Sequence, residues 1–172
     1  KVEKAAAELK RAVKKAGGSA AEKHAGFEAP VAGTLIPITE VKDTAFSQKM
    51  VGDGFAIIPE SDTVYAPWSG TVAACFETNH AVGIVTENGD EVLIHIGIDT
   101  VKLKGEGFKA FVKQGQKVKA GDKLLEFDPE KIKAQGYEKT CILVFTNGDE
   151  YPDMKFHTGM DAVQNETVIV EF

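Results

Sequence analysis

The chain has 172 residues, 43% hydrophobic and 27% charged, enough for one domain with a real core. Acidic side chains outnumber basic ones 26 to 20, for a formal net charge of −6, which argues against a general grip on nucleic acid or an anionic membrane surface. The 17 glycines and 6 prolines, spread along the chain, leave little room for long helices, and no apolar run is long enough to span a bilayer.

In chain order, Lys1 to Ala16 stand apart. They are rich in Ala, Lys and Glu, and Val2, Ala6, Leu9 and Val13 fall near helical spacing. That pattern predicts a helix, stopped by Gly17-Gly18-Ser19. Its apolar stripe lacks bulky residues, so residues 1–24 read as an interdomain tether and 25–172 as the domain itself. A start at Lys1 rather than Met fits a piece of a longer chain.

From Phe27 onward, short apolar runs alternate with turn signals. Strands are predicted at Gly33–Ile38, Phe55–Pro59, Thr63–Ala66, Gly70–Phe76, Ala81–Glu87, Glu91–Ile98, Phe108–Val112, Lys123–Phe127, Cys141–Thr146 and Thr167–Phe172. Turns are predicted at Gly52–Gly54, Asn88-Gly89, Gly105–Gly107, Gly121-Asp122 and Asn147-Gly148. A short helix over Pro129–Gln135 is opened by Asp128 as N-cap, with proline at its first position. The class is all-β: an antiparallel β-sandwich or barrel-sandwich with a short N-terminal helical tether.

An internal repeat runs through it. Ala29-Pro30-Val31-Ala32-Gly33-Thr34 returns as Ala66-Pro67-Trp68-Ser69-Gly70-Thr71, each copy leading into a strand. The phrase from Gly115 to Leu124 is similar to the turn element of biotinyl and lipoyl carrier domains, so the sandwich reads as built from duplicated hybrid motifs. Neither Lys102 nor Lys104 sits in the hairpin a carrier uses for its cofactor, so the likeness is one of fold elements. Cys75 and Cys141 lie far apart in apolar contexts, with no C-x-x-C pair, and read as reduced buried thiols.

Of four histidines, His24 and His157 are read as ordinary side chains, whereas His80 and His95 flank one hairpin. A type I′ turn at Asn88-Gly89 sets Glu87 opposite Asp90, and counting outward sets Ile84 opposite Leu93 and Val82 opposite His95. His80, two residues beyond Val82, then shares His95's face if Thr78–His80 stays extended. On this register Val82, Ile84 and Leu93 surround the histidines on an outer face. Ala81, Gly83, Val85, Val92, Ile94 and Ile96 line the inner one, and Asp99 shares the parity of His95. Two near imidazoles suit nucleophilic chemistry at phosphorus, part of a metal site needing further ligands, or nothing beyond two surface side chains.

The stretch from Val92 to Phe108 around His95 resembles the signature of the glucose-type enzyme IIA domains of the bacterial phosphoenolpyruvate-dependent sugar phosphotransferase system. Phe76-Glu77-Thr78-Asn79-His80-Ala81 is similar to that family's second histidine motif, and Asp43–Phe46 with Val51–Gly54 to a third block. The resemblance runs from about Ala29 to Phe172. It implies an antiparallel β-sandwich with a shallow active-site depression; no cofactor and no resident metal are expected, and a zinc bridge completed by a partner's carboxylate stays open.

It further implies that His95 carries a phosphoryl group, donated by the phosphocarrier HPr and accepted by a sugar-specific IIB domain. His80 would hydrogen-bond the phosphoryl oxygens and Thr78 would orient a histidine. Phe46, Phe76, Val82 and Leu93 would form an apolar docking rim, with Asp43 and Asp99 as acidic positions facing a basic partner. Gly97 suits either close approach of a partner's backbone or local packing. Val82–Val85 and Tyr65-Ala66-Pro67 look closer to domains fused to sucrose, trehalose or β-glucoside permeases. That implies a domain on the cytoplasmic side, tethered to a membrane IIC permease. A regulatory module on a sugar transporter, controlled at the same histidine, would carry the same motifs.

Overall fold

A computed structural model of the chain describes Ala6, Ala7 and Leu9, then residues 27–151, 154–163 and 168–171. Its strands are β1 (Phe27–Glu28), β2 (Gly33–Pro37), β3 (Asp53–Pro59), β4 (Thr63–Tyr65), β5 (Gly70–Cys75), β6 (Ala81–Thr86) and β7 (Glu91–Ile96). They continue as β8 (Phe108–Ala110), β9 (Lys117–Val118), β10 (Lys123–Phe127), β11 (Cys141–Phe145), β12 (Lys155–Phe156), β13 (Asp161–Ala162) and β14 (Val168–Glu171). Beyond the helical residues near the N-terminus, the described residues include the short α-helices α1 (Thr44–Ser47) and α2 (Pro129–Ala134) and three single 3₁₀ turns. Every predicted strand has a counterpart, and Asp128 caps α2 by accepting a hydrogen bond from the Lys131 amide at 3.1 Å.

All pairings are antiparallel. The main sheet has eight strands in the order β13-β2-β3-β11-β7-β6-β5-β9, and β4-β10-β8 and β1-β14-β12 form two smaller sheets. The inner face of the main sheet packs on these smaller sheets, so Leu35, Phe55, Ile57, Ile84 and Ile94 meet Phe27, Val64, Leu124 and Phe127 in one core. This is an antiparallel β-sandwich, as the composition and turn spacing predict.

The repeat is a structural device. The Glu28 amide donates to the Pro67 carbonyl, and the Tyr65 amide donates to the Pro30 carbonyl, so each copy holds the chain just ahead of the other. Gly33 and Gly70 fill equivalent places: a Cβ on either would lie 2.1 Å from the Ile58 oxygen or 2.3 Å from the Val85 oxygen. Only a residue without a side chain lets these strand starts cross a neighbouring backbone so closely.

Two predicted turns differ. Asp53 and Gly54 belong to β3, where a Cβ on Gly54 would meet the Leu143 oxygen at 1.9 Å; this glycine serves close strand approach, not reversal. The hairpin after β6 pairs Val85 with Glu91, and the Thr86 amide donates to the Asp90 carbonyl. Three residues, Glu87, Asn88 and Gly89, therefore make the loop, with only Gly89 at positive φ, +88°. A type I′ turn would need positive φ at Asn88 as well. Buried Asp90 explains the longer loop: its carboxylate accepts from the Thr86 hydroxyl at 2.7 Å.

That one-residue change flips β6. Ala81 lies opposite His95 and Gly83 opposite Leu93, so Ala81, Gly83 and Val85 share the histidine face. Val82 and Ile84 point into the inner core, and the docking role expected for Val82 is corrected accordingly.

Of the expected N-terminal helix, Ala6, Ala7 and Leu9 are helical; the rest lies outside the described residues. Ala6 and Leu9 are buried on the outer face of the main sheet, beside Phe46, Ala81, Leu93, Ile142 and Val144.

Candidate functional site

The two histidines meet at the centre of that outer face. His95 is on β7, between β6 and β11, with Ala81 on one side and Ile142 on the other. His80 precedes β6, and its carbonyl accepts from the Ile96 amide at 2.8 Å. Asn79, at φ +53°, turns the chain so that the His80 ring faces its partner. The ring centroids are 4.9 Å apart and the planes stand at 84°, edge to face. The juxtaposition expected from the sequence is present, but the extended Thr78–His80 segment assumed in reaching it is not.

Each ring has one nitrogen fixed from behind. Nδ1 of His95 lies 2.8 Å from the Gly97 carbonyl oxygen. A carbonyl only accepts, so Nδ1 carries the proton and Nε2 holds the lone pair. Nδ1 of His80 lies 2.5 Å from the Thr78 hydroxyl.

The carbonyl behind His95 is itself held in place. Gly97 has φ +78°, and a Cβ there would meet the Thr100 methyl at 2.4 Å and the Glu138 oxygen at 2.6 Å. Thr100 is buried and its hydroxyl donates to the Ile96 carbonyl. Gly97 is thus a packing glycine, the second of its two sequence readings. Thr100 was missed as a site residue because nothing in its spacing marks it.

Electrostatics keep both rings neutral. Burial pushes the His80 pKa down from its ordinary 6.5 to about 4. Burial also lowers His95 to about 3, reinforced by the neighbouring His80 and opposed by the Gly97 hydrogen bond. A neutral His95 has its nucleophilic lone pair at every ordinary pH.

Aromatic rings frame the pair. Phe46 stands edge-on to His95 with centroids 5.3 Å apart, and Phe76 lies 6.1 Å from His80. Phe46 is delivered by α1, whose N-cap is Asp43: its carboxylate accepts from the Ala45 amide at 2.9 Å. Asp43 therefore has a local structural task that the sequence reading did not give it. Phe46 and Leu93 are both 0% exposed, so they form a buried floor where an exposed rim was expected; Phe76 is half-buried. Asp99 follows the end of β7 in a left-handed conformation, 41% exposed at its side chain and 4.0 Å from Lys102. Among the described residues, no group of three or more His, Cys, Asp or Glu side chains is placed to hold a metal ion. Cys75 and Cys141 are both free, Cys141 buried and Cys75 partly so.

An antiparallel β-sandwich presenting neutral, edge-to-face imidazoles, one with its Nε2 lone pair unprotonated, defines a protein suited to carry a phosphoryl group on histidine. Comparison with known proteins agrees. Residues 26–151 match the family model for the phosphoenolpyruvate-dependent sugar phosphotransferase system, EIIA 1, and the chain belongs to that family. It is a phosphotransferase relay component of the glucose-type EIIA kind.

Relatives come in two forms. A glucose-specific EIIA component of Halalkalibacterium halodurans is 46% identical over 142 residues, covering 83% of this chain and 82% of the relative. The glucose-specific EIICBA component of Streptococcus pneumoniae is 48% identical over 140 residues, covering 81% of this chain, and the β-glucoside-specific EIIBCA component of Bacillus subtilis is 48% identical over 125, covering 73%. The chain spans only 19% and 20% of those two longer proteins. The glucose permease IIA of Mycoplasma capricolum superposes with a TM-score of 0.76 at 41% identity, covering 87% of this chain and 96% of that one. Among the described residues, no helix is long and apolar enough to cross a membrane.

Proposed function

We propose that Nε2 of His95 receives the phosphoryl group from phospho-HPr and passes it to a sugar-specific IIB domain. The observation that carries this reading is the Nδ1 contact with Gly97, which leaves Nε2 as the only lone pair on the ring. That lone pair forms the N–P bond as the donor's bond to phosphorus breaks, and the electron pair leaves with the donor. Nδ1 keeps its proton on the Gly97 carbonyl throughout. When the Thr78 hydroxyl donates to Nδ1 of His80, the His80 Nε2–H is the group that faces phosphoryl oxygen. Positioning and charge stabilisation supply the catalysis, as phosphoryl transfer requires.

The docking surface comprises Phe76 and the margin of the depression floored by Phe46 and Leu93. Asp99, with Asp43 near α1, favours a basic donor. Residues 1–24 act as the link to further domains of a membrane-bound permease of the β-glucoside, sucrose or trehalose kind, and the domain works at the cytoplasmic face. Incubation with phosphoenolpyruvate, enzyme I and HPr should yield one acid-labile phosphate, absent from His95→Ala. Retention of that phosphate in His95→Ala, with loss in His80→Ala, overturns the assignment.

A second reading has one supporting observation. A relative 47% identical over 125 residues is named a raffinose carrier protein, of Pediococcus pentosaceus. On that reading the same histidine is phosphorylated to regulate a transporter and passes nothing on. Transfer from the phosphorylated chain to a purified IIB domain separates the two.

A further inference from the structure

The face expected to be an open docking patch is closed. Leu93 and Phe46 are 0% exposed, and so is Leu9, which lies in the same apolar cluster. The seat of Leu9 is specific. A Cβ on Gly83 would come within 2.5 Å of its Cδ1 and 3.2 Å of its Cγ, so the leucine occupies the space a side chain on Gly83 would need. Around that seat lie Ala73, Ala74 and Ala81, small residues that leave a socket on the sheet. Gly83 pairs with Leu93 and Ala81 with His95, so the socket lies one pair of residues along β6 and β7 from the phosphoryl-accepting ring.

Charge points the same way. Lys1, Lys4, Lys10, Arg11, Lys14 and Lys15 stand against only Glu3 and Glu8 in the segment that carries Leu9, on a chain of formal net charge −6. A basic, leucine-bearing segment has the chemistry of the basic, apolar-tipped partner the face is built to receive.

We infer that the N-terminal segment and the phosphoryl-transfer partner share one surface, so that Leu9 fills in cis a socket over Gly83 that a partner's aliphatic side chain fills in trans. The inference rests on the docking face proposed above. It makes the N-terminal segment a competitor of the donor and identifies what the socket accepts: one unbranched-at-Cβ aliphatic side chain on a basic segment.

Two measurements on the full chain test it. In the first, phosphoryl uptake from phospho-HPr is followed at limiting HPr for the parent, Leu9→Ala and Leu9→Gln, two substitutions that empty the socket over Gly83 and leave its floor unchanged. Several-fold faster uptake in both variants supports the competition, and slower or unchanged uptake in both overturns it, because a leucine that only stabilises the fold gives no gain when removed. In the second, trypsin cleavage at Arg11 is timed with and without excess HPr. Faster cleavage with HPr, matched against an equal mass of serum albumin, shows displacement of the segment; an unchanged rate refutes it. If even the parent takes up no phosphate, the relay reading has failed, and the trypsin comparison alone then decides whether the surface is shared.

Discussion

Nδ1 of His95 lies 2.8 Å from the carbonyl oxygen of Gly97, and this contact fixes which ring nitrogen is available for chemistry. In a neutral imidazole one nitrogen donates and the other accepts. The carbonyl claims the donor, so phosphorus should be found on Nε2. Nitrogen-15 NMR of the phosphorylated chain should show coupling to phosphorus at Nε2 and an intact Nδ1–H. Coupling at Nδ1 instead would mean that the ring turns over before reaction.

Thr78 acts through His80. Thr78→Val keeps the shape but removes the hydroxyl 2.5 Å from Nδ1, freeing the ring to change tautomer. Loss of such a hydrogen bond is worth about 1 kcal/mol, roughly fivefold in rate. Transfer from the phosphorylated chain to IIB should slow by about that factor, with little change in thermal stability. His80→Gln should accept phosphate and release it to IIB far more slowly. Unimpaired release would remove His80 from the transfer step.

Acid should destabilise this domain through the same pair. Unfolded, both histidines titrate near 6.5; folded, His80 titrates at about 4 and His95 at about 3. Below pH 6.5 the unfolded chain binds protons that the fold refuses, so the histidine contribution is complete above that pH and is lost as pH falls toward 4 and then 3. The slope reaches about 1.4 kcal/mol per pH unit per histidine. Urea melts of the parent against His80→Gln and His95→Gln between pH 4 and 6.5 should diverge in this sense. Parallel curves would contradict the burial of the rings.

Gly97→Ala tests the support behind His95. Its φ of +78° is strained for alanine, and the added methyl would sit 2.4 Å from the Thr100 methyl and 2.6 Å from the Glu138 oxygen. The conformation alone costs about 1–2 kcal/mol, and the contacts add to it. The midpoint of urea unfolding should fall, and phosphoryl uptake should fall further than the lost folded fraction explains. A loss of uptake that merely tracks unfolding would make Gly97 a structural residue only.

The legible and illegible parts of the site differ in kind. Strand positions were readable because apolar runs between turn residues are a local signal, and the cap at Asp128 is a local pattern too. The facing of β6 was not, because it depended on loop length. Asn88-Gly89 looks like a two-residue turn, but buried Asp90, bonded to the Thr86 hydroxyl, draws one more residue into the loop. The histidines still meet because a second departure, the left-handed turn at Asn79, restores His80 to the face that the first had taken from it. Val82 had no such compensation and went to the core. Helix α1 escaped notice because four residues leave no periodicity. The seat of Leu9 depends on contacts distant in sequence, which spacing along the segment cannot reveal.

His95 sits in an interior strand of the main sheet, paired on both sides, with Nδ1 held by the Gly97 carbonyl and Nε2 left as the ring's one free lone pair. A ring so held cannot offer one side to a giver and the opposite side to a taker. Donor and acceptor must use the same opening in turn, each leaving before the other arrives. Steady-state rates for the two should therefore follow a ping-pong pattern, with either partner inhibiting the other when present in excess.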